Sequence, residues 1–87
     1  MINLKLLQNV INHKINHITN DELLKYAKQY NISLTPDQAT SIVAKVKGKN
    51  INIFDDTKRS RLVKDLARVI GPTKAKEINQ LFLQLIR

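Results

Sequence analysis

The 87 residues, 43% of them hydrophobic, provide one domain's worth of material and one modest core. Lack of cysteine excludes a disulfide framework or thiolate metal site; two Gly and two Pro exclude collagen-like and Pro/Gly-rich disordered classes; and no apolar run approaches the ~18 residues of a membrane span. Fifteen Lys and Arg against seven Asp and Glu give a formal +8, which favours solubility and an acidic partner: nucleic acid, an anionic membrane surface or an acidic protein face.

Eleven of the cations are Lys, and Ile and Asn are also abundant. That trio looks like the codon bias of an AT-rich genome, which explains Lys in place of Arg but not the shortage of acids. The stretch Met1-Ile2-Asn3-Leu4-Lys5-Leu6-Leu7 has no basic leader and no uninterrupted apolar segment, so a cytoplasmic protein without a targeting signal is expected.

Helical spacing recurs through the chain, and no alternating run is long enough for a strand. The first helix spans about residues 3–17, with one stripe of Leu4, Leu7, Ile11, Ile15 and Ile18 and a second of Ile2, Leu6 and Val10. So wide an apolar arc predicts a helix covered on more than one side. Thr19 stands three residues before Glu22, the spacing of a capping box. It starts a second helix over about 20–30, with Leu23, Tyr26, Ala27 and Tyr30 on one face and Asn31 as a left-handed stop.

Ile32-Ser33-Leu34 is a connector whose apolar residues plug the core. In Thr35-Pro36-Asp37-Gln38, Thr caps, Pro suits the first helical position, Asp meets the positive end of the dipole and Gln completes the box. The third helix carries Ala39, Ile42, Val43 and Val46 and ends at Gly48. Residues 49–54 form a loop, with one helical turn or a short extended piece as alternatives. Asp55 or Asp56 caps a fourth helix over about 56–70, with Leu62, Val63, Leu66, Val69 and Ile70 inward. Gly71-Pro72 stops it. Gly71 or Thr73 caps a fifth helix that runs to the end, with Ile78, Leu81, Phe82, Leu85 and Ile86 on one face. The expectation is an all-α single domain over residues 1–87, an orthogonal bundle of five short helices with connectors of about 2–7 residues.

The stretches Ile32-Ser33-Leu34-Thr35-Pro36-Asp37-Gln38-Ala39 and Gly48-Lys49-Asn50-Ile51-Asn52-Ile53-Phe54-Asp55-Asp56 resemble the short YqfT-like proteins of Bacillus and relatives. The resemblance covers nearly the whole chain. It implies a stand-alone cytoplasmic protein and brings no catalytic or binding residues, because that family's function is not known.

Two surfaces carry the functional expectations. Lys45, Lys47 and Lys49 precede the 49–54 loop, and Lys58, Arg59, Arg61 and Lys64 follow it. If the flanking helices form a hairpin, these cations share a rim that would suit phosphates; the plainer alternative is a solvated Lys-rich surface. The second surface is the apolar excess at Ile2, Leu6, Val10 and Leu83. Other helices would cover it, or it would mark self-association or a partner protein. A protein-interaction or regulatory module is the main expectation, and a nucleic-acid-binding accessory protein the alternative.

Other constellations carry less. A helix-turn-helix or SAP-like reading of 22–47 puts Asp37 and Thr40 at positions that should face inward. His13 and His17 share a helix face, but Thr19 breaks the helix before Asp21, and two ligands do not make a structural metal site. Asp55 and Asp56 lack companions for acid/base work, and helix capping accounts for them. Tyr26 and Tyr30 read as core residues with wet hydroxyls. No enzyme, metal, cofactor, small-molecule substrate or membrane partner is therefore expected.

Overall fold

Short polar side chains set the helix boundaries. In the computed structural model, which describes residues 4–86, five helices follow in order: α1 (Leu4–Asn16), α2 (Asn20–Gln29), α3 (Pro36–Val46), α4 (Asp56–Ile70) and α5 (Pro72–Leu85). Thr19 Oγ1 accepts the Glu22 amide at 3.2 Å, and Glu22 Oε1 accepts the Thr19 amide at 3.2 Å. Thr35 and Gln38 repeat the box at 3.1 and 3.0 Å. For α4 the cap is Asp55, whose Oδ1 accepts the Lys58 amide at 3.1 Å. Gly71 precedes α5 with no side chain to offer, and Pro72 supplies the preset φ at the first helical position.

Helix α2 stops as expected. Asn31 is left-handed (φ 59°), its amide donates to the Lys28 carbonyl at 3.2 Å, and the Ile32 amide reaches the Ala27 carbonyl at 2.7 Å. This is the paired bonding of a Schellman stop. Two connectors depart from the expected lengths: residues 47–55 form a nine-residue loop, and α4 and α5 are joined by Gly71 alone.

The packed neighbours are α2 with α3, α3 with α4, and α4 with α5. Their contacts bury Leu23, Ala39, Ile42, Leu62, Leu66, Ile78 and Leu81 in one cluster, which also takes Ile53 from the 47–55 loop. Ile32 and Leu34 pack against this cluster from the connector. Lys74 holds that connector to α5, donating from Nζ to the Ser33 carbonyl at 2.6 Å.

Helix α1 is the exception. Ile15 is its one fully buried residue; Ile11 packs beside it, and Ile18 enters the core just after the helix. The expectation that α1 is covered on more than one side does not hold. Leu4 (71% exposed), Leu6 (60%), Leu7 and Val10 (57%) all face solvent, because α1 meets the core only through its C-terminal half. Val69 is also corrected. It is exposed, because it lies beyond the Leu62 edge of a buried face that runs round α4 toward Val63 and Ala67. Tyr26 packs on the core while Tyr30, in the turn after α2, is exposed.

The α2 cap carries a pH dependence. The hydrogen bond from the Thr19 backbone, with help from the Thr19 hydroxyl and Lys14, lowers the Glu22 pKa below the usual glutamate value. A depressed carboxyl pKa contributes stability that is complete above the unfolded pKa and is lost as pH falls through the folded one. Urea midpoints across acid pH will therefore fall less steeply in Glu22→Gln than in the wild type below the ordinary glutamate range. Parallel curves would show that the cap carries no charge-dependent stability.

Candidate functional site

The 47–55 loop is anchored from α1. Asn12 and Asn16 lie one turn apart and present their amides on one face. Asn12 Oδ1 accepts the Ile53 amide at 3.1 Å, and Asn12 Nδ2 donates to Asn52 Oδ1 at 2.9 Å. Asn52 Oδ1 also accepts the Phe54 amide at 3.1 Å. Asn16 Oδ1 accepts the Asn50 amide at 2.8 Å, and the Asn16 carbonyl accepts the Gly48 amide at 2.9 Å. Gly48 and Asn50 both have positive φ, 74° and 53°, a conformation that glycine and asparagine tolerate best.

Arg59 completes the anchor from α4. Its Nη1 donates to the Ile53 carbonyl at 3.0 Å, and its Nη2 meets Asp56 Oδ1 at 2.6 Å. Only 11% of the Arg59 side chain is exposed, against 88% for Asp56. This corrects the assignment of Arg59 to the basic rim, because its charge points inward and is spent on the loop. It also gives the adjacent acids separate tasks: Asp55 caps α4 and Asp56 pairs with Arg59.

The remaining cations divide. Lys45 on the last turn of α3, Lys49 in the loop, and Lys58 and Arg61 on α4 line one concavity of about 510 Å³. Ile51 and Leu62 also line it, together with Asn50 and Asp65. Lys58, Arg61, Leu62 and Asp65 share a face of α4 through i, i+3, i+4 and i+7 spacing. None of the four cations forms an ion pair among the described residues. Lys47 and Lys64 are exposed but stand outside the concavity.

The apolar surface lies on α1. Leu4, Leu6, Leu7 and Val10 are exposed there, and Val10 leads into a hollow of about 130 Å³ with Ile11, Lys14, Ile15, Tyr26 and Leu85. Leu83 is half-buried, and Ile2 lies outside the described residues. The His13 and His17 rings are 4.3 Å apart between centroids. No group of three His, Cys, Asp or Glu side chains that could hold a metal occurs among the described residues. No described helix is long and apolar enough to cross a membrane.

Residues 3–86 match the family described as "Protein of unknown function (DUF2624)". The chain belongs to this family. It is 43% identical over 79 residues to the "Uncharacterized protein YqfT" of Bacillus subtilis (strain 168), a match covering 91% of this chain and 94% of that relative. The Thr35 box and the Gly48–Asp56 loop, the two stretches that carry the resemblance, both have structural tasks: the box starts α3, and the loop holds the anchor. No solved structure matches the chain.

Sequence reasoning missed the asparagines. The i, i+4 pair Asn12/Asn16 and the Asn50-Ile51-Asn52-Ile53 alternation were visible, but high Asn content masked their significance. Asn12→Ala leaves the amide of fully buried Ile53 unpaired and will lower stability by about 1–3 kcal/mol. Asn9→Ala, on an exposed α1 position, will stay within about 0.5 kcal/mol. Urea denaturation of both variants decides it; equal effects would mean that the loop does not depend on Asn12.

Proposed function

We propose that this chain is a small non-catalytic protein-interaction module that docks through α1, and that the occupant of the α1 face is α1 of a second copy. The observation that carries the reading is the row of exposed Leu4, Leu6, Leu7 and Val10 on a helix whose other half is anchored in the core. Contiguous apolar surface of this kind marks contact sites.

Two features favour a second copy. Leu4–Asn16 contains no acidic residue, and its full cations are Lys5 and Lys14. Lys14 borders the apolar arc beside Val10 but is paired with Glu22 at 3.7 Å, so two α1 helices can pair over Leu4, Leu6, Leu7 and Val10. The energetics are also of the right size. Fully burying each such side chain is worth about 1.5–3 kcal/mol. Eight half-exposed side chains across a symmetric pair supply on the order of 10 kcal/mol, comparable with the ~4–15 kcal/mol that association costs. The pair is accordingly weak and concentration-dependent. Each copy carries +8, so their repulsion is screened by salt and pairing strengthens as salt rises.

Sedimentation velocity across a concentration series at low and high salt tests the reading. The wild type will shift from monomer toward dimer with concentration, more so at high salt. Val10→Glu will remain monomeric, with the thermal unfolding curve that the wild type shows at dilutions where it too is monomeric. A wild type that stays monomeric throughout, or a Val10→Glu variant that pairs equally well, would overturn it.

A further inference from the structure

We infer that the concavity between the end of α3 and the start of α4 is a binding site for the phosphodiester backbone of double-stranded nucleic acid. Lys45, Lys49, Lys58 and Arg61 converge on it from a helix end, a loop and a second helix. Cations spread around solvated helices would not converge in this way. None of the four is neutralised by an ion pair among the described residues. Seven candidate cations in the sequence thereby reduce to four, with Arg59 committed inward and Lys47 and Lys64 outside the concavity.

The site is held in shape before any ligand arrives. Lys49 follows Gly48 and precedes Asn50, whose amides are bound by Asn16. Arg61 and Lys58 stand on the first two turns of α4, fixed at its start by the Asp55 cap. Among the described residues no aromatic ring lines the concavity, so they offer no platform for unstacked bases, which single-strand binders use. Four cations against a single side-chain amide, that of Asn50, favour phosphate contacts, which carry little sequence information. Duplex backbone is therefore the preferred ligand. The site is complete within one copy and does not rest on the pairing of α1.

The number of cations fixes the salt response. Four neutralised phosphates give a slope of about −3.6 in log K against log salt, an affinity loss of about 150-fold between 50 and 200 mM. Fluorescence polarisation with a short labelled duplex DNA of random sequence, and with single-stranded RNA of equal length, measures it. Lys49→Glu and Arg61→Glu will each weaken duplex binding and flatten the slope by about one. Asp65→Asn removes the carboxylate from the concavity and will tighten binding, a gain that damage to the fold cannot imitate. Lys28→Glu, in a separate hollow beside Ile32 and Leu34, will leave the slope unchanged. Absence of duplex binding at 50 mM, tighter binding of the single strand, or equal effects of Lys28→Glu and Lys49→Glu would each overturn the assignment.

Discussion

Ile53 is a loop residue with no exposed surface, and a buried loop residue must find partners for both of its backbone polar groups. Neither comes from regular secondary structure. Its amide goes to the Asn12 side chain of α1, and its carbonyl to the Arg59 guanidinium of α4. The two side chains arrive from different helices, so the loop can bury its isoleucine only when both are in place. The core gains a large apolar side chain, and α1 gains the attachment that fixes its C-terminal half.

Much of the molecule follows from that constraint. Held by Asn12 and Asn16, α1 inserts Ile11 and Ile15 into the core edge and leaves its first turns beyond it. The apolar surface of Leu4, Leu6 and Val10 is the consequence. Held on its other side by Arg59, the loop brings Lys49 beside Lys58 and Arg61. One anchor thus shapes both surfaces, and the two proposed roles predict opposite salt responses: apolar pairing between cationic copies would strengthen with screening, while phosphate contacts would weaken.

The helices were largely legible in the sequence because their signals are local. Thr19 with Glu22, Thr35 with Pro36 and Gln38, and the Asn31 stop each act within a few residues. The choice of Asp55 over Asp56 as the α4 cap was not legible, since either acid fits the spacing; in the structure Asp55 accepts the Lys58 amide while Asp56 pairs with Arg59. Arg59 was misread for a related reason. Its burial depends on a carbonyl six residues earlier that faces it only after the loop has folded. The same holds for Asn12 and Ile53, which are 41 residues apart. Periodicity also overstated the reach of the core: Leu4 and Leu7 continue the Ile11 and Ile15 stripe perfectly well, but nothing in a helical repeat says where the neighbouring helices end.

Amide hydrogen exchange at Ile53 tests the anchor most directly. An amide bonded to Asn12 inside an anchored loop opens only when the core opens. Its protection will therefore match that of Leu66 in the buried centre of α4, and Asn12→Ala will lower it selectively. Exchange at Ile53 as fast as at an exposed loop amide would contradict the anchor, and with it the physical basis of both surfaces.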